Sequence, residues 1–216
     1  MNRLTDTIYS RVTDTLREAI LNGEYKPGQQ LKMKDLVERL GTSQMPIRES
    51  LQQLKGEGLI RIIPQRGAQV ITMEPKFVKN ICDLRYAVEM LLVKEACEIT
   101  DLSWVSNLKK AQDLYDSLID EKDSIKIIQA NRDFHKVHYD IADNSEALGV
   151  LERTNTILTF IRTTYGYSKA RILQTSKEHK DIIEGFEKGD REKVIKAASI
   201  HLENAKKTFL EEMEED

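Results

Sequence analysis

Three helical segments followed by a β-hairpin fill the first 73 residues of the chain, and this order restricts the fold they form. The first segment carries apolar residues at helical spacing between Ile8 and Ile20. The second covers about Met33–Leu40 and ends at Gly41, because glycine commonly caps a helix C-terminus in the left-handed conformation. The third is predicted to begin at Ser43, a residue type that favours the N-cap position.

Two short β-branched runs follow the third helix. They cover residues 59–63 and 68–72 and flank Pro64-Gln65-Arg66-Gly67, where the glycine favours a tight turn. Three helices followed by such a hairpin is the element order of a winged helix-turn-helix. Residues 1–73 are therefore predicted to form a DNA-binding domain of this type.

From residue 74 onward the sequence predicts helices only. Glu74-Pro75 marks the boundary, and helices are predicted near 76–99, 102–119, 123–142, 146–164, 168–186 and 190–213. About six helices of this length form a compact antiparallel bundle. The predicted fold is therefore mainly α, with a winged helix-turn-helix domain over 1–73 and an all-helical bundle over 74–216.

The charge of the chain is distributed unevenly between these two domains. The whole sequence carries 33 Lys/Arg and 36 Asp/Glu, a net charge of −3. Residues 1–73 contain 11 basic and 8 acidic side chains, a net charge of +3, whereas the remainder contains 22 and 28, a net charge of −6. The basic first domain suits a polyanion such as DNA, and the acidic second domain does not.

The sequence also indicates where the protein works. No apolar run approaches the roughly 18–20 residues that a membrane span needs, and the first ten residues lack the apolar core of a signal peptide. Cys82 and Cys97 have neither metal nor redox spacing, so free cytosolic thiols are expected. We expect a cytoplasmic protein without a membrane partner.

The N-terminal turn of the third helix carries the candidate base-reading residues. In a helix-turn-helix, this turn reaches base edges in the major groove. Arg48 is suited to a bidentate pair with guanine and Gln44 to one with adenine, while Ser43 suits a phosphate oxygen. The alternative is that Arg48 pairs with Glu49 or Glu57 on an ordinary solvated face. The candidate DNA contacts are Lys34, Ser43, Gln44, Met45, Arg48, Arg66 and Gly67.

Three helices of the second domain each carry a histidine on their apolar side. All four histidines fall within the apolar arcs of their helical wheels: His135 and His138 share one stripe of one helix, and His179 and His201 lie on two others. An unpaired buried polar group costs about 1–3 kcal/mol, so three imidazoles in one core favour a shared partner such as a divalent metal ion. Asn131, one turn before His135, offers an oxygen ligand. The alternative is that all three histidines are ordinary core residues.

Arg85 also lies on an apolar helical stripe. A buried guanidinium needs an anion. One candidate is Glu89, one turn further along the helix. The other is the carboxylate of a bound small molecule, and the sequence leaves this choice open.

These residues resemble the GntR family of DNA-binding regulators over nearly the whole chain. Residues 40–51, with Ser43-Gln44-Met45-Pro46-Ile47-Arg48 at their centre, are similar to the DNA-binding domain of that family, and Pro64-Gln65-Arg66-Gly67-Ala68 is similar to its wing. The second domain resembles the FadR-type effector domain, called FCD. Its marks are Arg85 with Glu89, Asn131-Arg132-Asp133-Phe134-His135, Ala142-Asp143-Asn144, Glu178-His179, Gly189-Asp190 and His201-Leu202.

The resemblance implies a homodimeric, ligand-responsive transcription regulator, not an enzyme, that binds a palindromic double-stranded operator. It further implies a divalent metal ion, zinc or nickel, at the floor of an effector cavity. The implied ligands are Asn131, His135, His179 and His201, while His138 is not among them. The implied effector is a small organic acid, for which Arg85 would be a second anchor.

The sequence departs from the family at three positions. Gln44 and Met45 stand where the family often has Arg and Thr, so the operator is expected to differ from the usual one. Asn131 stands where Asp is common, which leaves the predicted site neutral apart from the ion. Two other functions remain open at this stage: a metal-dependent hydrolase using His138 or Glu178 as base, and a DNA-binding dimer whose histidines are plain core.

Overall fold

The structure is a computed structural model that describes residues 7–64, 66–121 and 124–214. Gln65, at the tip of the predicted wing, and residue 123, the predicted start of one helix, lie outside the described residues, as do both ends of the chain. Within the described residues the protein has nine helices and one three-stranded sheet, so the mainly α prediction is confirmed. The chain divides into two compact units.

The first unit holds the chain up to Glu74 together with Thr156–Thr164. Its elements before Glu74 are α1 (Ile8–Leu21), β1 (Gln30–Leu31), α2 (Met33–Leu40), α3 (Gln44–Gly56), β2 (Ile60–Ile63) and β3 (Gly67–Val70). The three predicted helices and the hairpin are therefore confirmed. Ser43 does occupy the N-cap position of α3, but its side chain makes no capping hydrogen bond.

The hairpin is part of a sheet with one more strand than the sequence indicated. β3 lies between β2 and β1 and pairs antiparallel with both, with Leu31 opposite Ala68. Gly67 has a φ of +90°, and a Cβ atom there would lie 2.4 Å from the backbone oxygen of Leu31. The glycine is thus required by the close approach of β1, whatever it does at the DNA.

The second unit contains Pro75–Asn155 and the chain from Tyr165 onward. The helices after Glu74 are α4 (Pro75–Ala96), α5 (Val105–Ser117), α6 (Ser124–Ala142), α7 (Ser145–Tyr165), α8 (Lys169–Glu187) and α9 (Arg191–Glu214). All six predicted helices are found, because long amphipathic segments carry a strong periodic pattern. The structure groups the segment Thr156–Thr164 of α7 with the first unit.

Within the second unit, α9 packs against α8 and α4, and α6 packs against α4 and α5. The two helices α8 and α9 meet tightly just before the turn that joins them. A Cβ atom on Gly185 would lie 2.7 Å from Cγ2 of Val194 and 3.0 Å from its backbone nitrogen. This close approach fixes the spacing of the two helices that carry His179 and His201.

Candidate DNA-reading surface and metal centre

Helix α3 presents one face to the core of the first unit and the other to solvent. Ile47, Leu51 and Leu54 are buried, as the helical period requires. Gln44 and Arg48 lie on the exposed side, and the Met45 side chain is 65% exposed. The N-terminal turn of α3 therefore offers polar and apolar groups to a partner outside the unit, which is what major-groove recognition needs.

Arg48 has no ion pair among the described residues. Glu57, one of its two expected partners, accepts hydrogen bonds from Nε and Nη2 of Arg17 at 2.8 and 2.7 Å instead. The nearest acceptor to the Arg48 guanidinium is Oε1 of Gln44, at 3.5 Å. The alternative in which Glu57 neutralises Arg48 is therefore wrong, and the guanidinium keeps its donors for a ligand.

The remaining candidate DNA contacts lie on exposed parts of the first unit. Lys34 on α2, Ser43 before α3 and Arg66 at the hairpin are all exposed. The backbone oxygen of Arg66 accepts a hydrogen bond of 2.7 Å from Nε2 of Gln30, which ties the hairpin turn to β1. The structure thus gives these residues the accessibility that phosphate contacts require, while their contacts with DNA stay a prediction.

Three histidines from three different helices meet in the interior of the second unit. His135 of α6, His179 of α8 and His201 of α9 are all buried, and one ligand atom from each lies within 4.8 Å of the others. Their ring centroids are 4.8–5.1 Å apart. The helical wheels therefore placed these imidazoles correctly, and the packing of α6, α8 and α9 brings them together.

Two of these imidazoles are oriented through their Nδ1 atoms. Nδ1 of His179 lies 2.8 Å from Oε1 of Gln112 on α5, and Nδ1 of His201 lies 2.8 Å from Oε2 of Glu178. Each bond engages Nδ1, so an ion held by these two rings would be coordinated through Nε2. Such outer hydrogen bonds are a regular feature of metal-binding histidines.

The third histidine, His135, and Asn131 one turn before it on α6 each carry a buried polar atom that nothing in the described chain satisfies. Nε2 of His135 and Oδ1 of Asn131 have no hydrogen-bond partner among the described residues. Both residues are almost fully buried, at 3% and 4% exposure. Unsatisfied buried acceptors are costly and uncommon in folded proteins. A bound cation would satisfy both, so the donor set fits a divalent metal ion.

The protonation of the site also suits a metal. Burial lowers the pKa of His135 well below its usual value, and the neighbouring His201 and His179 lower it further. A metal ion binds neutral imidazole, so this environment keeps the ligand ready without competition from protons. Two nitrogens bound to one zinc ion at about 2.1 Å are at most about 4.2 Å apart, so binding is expected to draw the rings slightly together.

His138 is a buried histidine outside the cluster, so it serves as an internal control for the three clustered histidines. It is buried like the other three, at 1% exposure, but it does not belong to the group of ligand atoms. Its ring packs against Phe134, Tyr139 and Phe186. Burial lowers the pKa of His138 to about 3. It is therefore a neutral core residue.

A cavity of about 300 Å³ opens beside the histidine cluster, and both His135 and Arg85 line it. Arg85 donates from Nε to Glu89, which is 1% exposed, so the pairing with Glu89 is present. Two further cations at the cavity, Arg132 and Lys136, are more exposed. The lining residues are Arg85, Arg132, His135, Lys136, Tyr139, Asp140, Leu148, Leu151, Glu152 and Asn155.

Sequence reasoning missed the residues behind the histidines. Gln112 is 3% exposed and Arg171 is 3% exposed, although glutamine and arginine are usually solvated. Gln112 lies on a predicted helix whose partner helix was unknown, and nothing in the local sequence distinguishes it from a surface glutamine. Gln112 lies on the same face of its helix as Leu108 and Tyr115, which are both fully buried. This shared face was the available indication that Gln112 is buried.

Comparison with known proteins gives matches over both units. The model of the family described as bacterial regulatory proteins, gntR family, matches residues 8–70, and that of the FCD domain matches residues 80–204. The chain is 26% identical over 185 residues to the regulator YdhC of Bacillus subtilis, covering 85% of this chain and 83% of that one. It is 25% identical over 199 residues to the repressor RspR of Escherichia coli, covering 92% and 87%.

Solved structures agree on the fold. The chain is similar to McbR/YncC of Escherichia coli, with a TM-score of 0.75 and 20% identity over 92% of this chain and 94% of that one. A regulator from Rhodococcus sp. RHA1 has a TM-score of 0.76 and 22% identity over 94% and 97%. The matched families and relatives are transcription regulators and not enzymes, so a hydrolase is excluded as the function. Within the described residues no helix has the length and apolar character of a membrane span.

Proposed function

We propose that this chain, which belongs to the gntR family of bacterial regulatory proteins and carries an FCD domain, is a homodimer that binds a palindromic operator. Its affinity for the operator changes when a small organic acid binds at a metal ion in the second unit. The histidine cluster and its cavity carry this proposal: three buried imidazoles meet beside a cavity with a cationic wall. Asn131, one turn before His135, adds a buried amide oxygen without a hydrogen-bond partner among the described residues. Family membership alone would not distinguish a sensing bundle from one that only dimerises.

The metal ligands in this proposal are Asn131, His135, His179 and His201. Nitrogen donors of this kind suit zinc or nickel, and the amide oxygen adds a fourth, weaker donor. When bound, the ion would supply a Lewis acid that accepts a carboxylate oxygen from the cavity side. All four protein ligands are neutral, so the ion's charge of +2 remains to attract an anion.

Arg85 gives the effector a second point of attachment in this proposal. Its Nε is engaged by Glu89, and this bond holds the guanidinium plane at the cavity wall. The two terminal amino groups of an arginine form the edge that binds carboxylates in bidentate fashion. Pairing with Glu89 and binding of an effector are therefore compatible, and the two readings of Arg85 need not compete.

The DNA half of the proposal places the N-terminal turns of two α3 helices in successive major grooves, about one helical turn apart. Two copies are needed to read a palindrome. An exposed apolar stripe on α4 supports a self-complementary contact, since Leu84 and Leu91 are 47% and 45% exposed and lie two turns apart with Ala87 between them. The effector acts by binding two conformations of the dimer unequally, and the coupling is reciprocal.

Metal content and effector-dependent stability of tag-free protein test this proposal. We expect about one zinc or nickel ion per chain, and a thermal shift with a panel of organic acids that disappears on chelation. The matched control is His138→Ala, which removes a buried imidazole outside the cluster. Protein that holds no metal, and gains none when zinc or nickel is added, would leave a DNA-binding dimer without a metal-assisted sensor.

A further inference from the structure

We propose that Gln112 and Glu178 are positioning residues that fix the tautomers of His179 and His201, so that both present an unprotonated Nε2 to the metal. This inference rests on the metal site proposed above, but it makes a separate statement about the metal-free protein. It assigns a role to two buried polar residues that neither coordinate the ion nor line the cavity.

The orientation of the Gln112 amide follows from its second partner. Nε2 of Gln112 lies 2.7 Å from Oδ1 of Asp116, and an ionised carboxylate only accepts hydrogen bonds. The amide nitrogen must therefore face Asp116, which turns Oε1 towards Nδ1 of His179 at 2.8 Å. An amide oxygen also only accepts, so the proton of the neutral imidazole must be on Nδ1.

Asp116 is itself held in place by two groups on α8. Oγ of Ser176 donates to Oδ1 of Asp116 at 2.6 Å, and Nζ of Lys180 lies 2.9 Å from Oδ2. These contacts lower the pKa of Asp116 against the opposing effect of its partial burial. The carboxylate therefore stays ionised at neutral pH, and the direction of every hydrogen bond from Lys180 to His179 is determined.

Glu178 determines the tautomer of His201 with a carboxylate, where Gln112 uses a neutral amide at His179. Both of its oxygens accept from Nη1 of Arg171 at 2.9 Å, and Oε1 also accepts from Nδ2 of Asn204 at 2.7 Å. The guanidinium of Arg171 is buried and needs this anion. Nδ1 of His201 therefore donates to Oε2 at 2.8 Å.

The two outer partners thus differ in charge but have the same effect on the ring they contact. A carboxylate partner makes an imidazole a stronger ligand, and an amide orients it with little change in its basicity. The site is consequently built with both Nε2 lone pairs already directed inward, so binding does not have to move a proton between ring nitrogens. Position 112 needs a group that both donates and accepts, and among neutral side chains of this length glutamine provides both.

The first experiment reads the tautomers in metal-free protein. Long-range ¹H–¹⁵N spectra of histidine rings distinguish a proton on Nδ1 from one on Nε2. We expect both His179 and His201 to carry it on Nδ1, and Gln112→Leu to abolish this preference at His179 alone. Gln112→Glu alone would set a second carboxylate against Asp116. The double variant Gln112→Glu with Asp116→Asn exchanges acceptor and donor, keeps an acceptor for Nδ1 and should restore the wild-type tautomer, which a merely space-filling role would not explain. Protons on Nε2 in the wild type would overturn the inference.

The second experiment measures zinc affinity by competition with a chromophoric chelator. We expect Gln112→Leu and Glu178→Gln each to weaken zinc binding by about 10–100-fold, the usual effect of losing an outer partner. Gln129→Leu is the matched control for Gln112, because exposed Gln129 makes the same 2.7 Å bond to an Asp four residues later without touching a histidine. Glu187→Gln, in an exposed pair with Lys109, is the control for Glu178.

The outcomes separate the two proposals. Wild-type protein with Nδ1-protonated rings but no affinity for zinc or nickel would contradict the proposed metal site and leave the positioning intact. Wild-type protein that binds zinc, with Gln112→Leu and Glu178→Gln no weaker than their controls, would overturn the positioning and leave the metal site intact. If Gln112→Leu fails to fold, the double variant Gln112→Glu with Asp116→Asn, together with Glu178→Gln, still decides the matter.

Discussion

The DNA-reading surface and the histidine cluster use polar side chains in opposite ways. On α3, Arg48 and Gln44 are exposed, and within the described residues the Arg48 side chain makes one long contact, with Gln44, so most of its hydrogen-bonding capacity remains for a partner outside the protein. In the bundle, His179 and His201 are buried and each has one ring nitrogen bound inside the protein. The side chains of a surface that binds and releases DNA can remain solvated until the partner arrives. The side chains of a buried ion site are instead oriented by hydrogen bonds that form when the protein folds.

This contrast predicts that substitutions in the cluster affect folding and ligand binding together. His179→Ala removes a fully buried ring that stacks on Phe134 with centroids 3.8 Å apart. We expect a loss of about 2–5 kcal/mol in the free energy of unfolding of the second unit, and loss of the metal. Elemental analysis and urea unfolding measure the two effects. His138→Ala should lose similar stability but retain the metal; equal metal loss in both variants would contradict the assignment of the ligands.

Acid should lower the free energy of unfolding of the second unit through its buried histidines, and the first domain has no histidine to respond in this way. Burial lowers the pKa of His138 to about 3, against about 6.5 in the unfolded chain. As the pH falls below 6.5, the unfolded state takes up a proton that the folded state refuses, so stability is lost. The loss from this one group is about 1.4 kcal/mol per pH unit, or about 2 kcal/mol at pH 5.

Urea unfolding of metal-free protein at pH 7 and pH 5, with and without His138→Leu, measures this contribution. All four histidines follow residue 74, so the domain that precedes it has no histidine contribution of this kind. A wild type and a His138→Leu variant with the same dependence on pH would show that His138 is not held neutral by the core.

Substitution of the reading surface should instead leave folding unchanged. Arg48→Ala is expected to weaken operator binding by about 1–3 kcal/mol and to relax base preference at one position of each half-site. The change in stability should stay within about 0.5 kcal/mol, because the side chain is exposed and has no ion pair among the described residues. Fluorescence anisotropy with matched and base-substituted operators measures both affinity and selectivity.

Lys55→Ala is the control for Arg48, because Lys55 is an exposed cation in the last turn of the same helix. If the two variants lose affinity equally, and without change in base preference, Arg48 contributes only general charge. A selective loss at Arg48 would establish the N-terminal turn of α3 as the reading element.

The smallest expected change concerns the charge of the ligand set. Asn131→Asp replaces a neutral oxygen donor by an anionic one, so zinc affinity should rise by about tenfold while affinity for an organic acid falls. Chelator competition and calorimetric titration of an organic acid into the zinc-loaded protein measure the two changes. Equal zinc affinities for wild type and variant would mean that Asn131 does not contact the ion.

The sequence predicted most of the fold and the burial of the three histidines that meet in the second unit. Long helices were located because their apolar period extends over many residues. β1 was missed because two residues, Gln30–Leu31, carry no period at all. The positions of His135, His179 and His201 on apolar arcs predicted that they face the core, but nothing local showed that Gln112 on α5 would meet His179 of α8. That pairing depends on how the helices pack.

Arg48 and Arg85 show which ion pairs can be predicted from spacing along a helix and which cannot. In each case the sequence left a nearby carboxylate as one possible partner. Glu57, which follows α3, pairs with Arg17 of α1, so its partner depended on how these helices pack. Arg85 pairs with Glu89 one turn further along the same helix, which is the partner that the spacing offered.

The closed end of the α8–α9 hairpin has a consequence for how this site would evolve or be redesigned. Gly185 leaves no room for a side chain against Val194, so the two helices are in close contact at this point. His179 lies about a turn and a half from that point, and His201 lies two turns beyond Val194 on the other helix. A single methyl group at position 185 would act as a wedge that alters the separation of these ligands from outside the site. The metal selectivity of the proposed site would therefore be adjustable at a residue outside the ligand set.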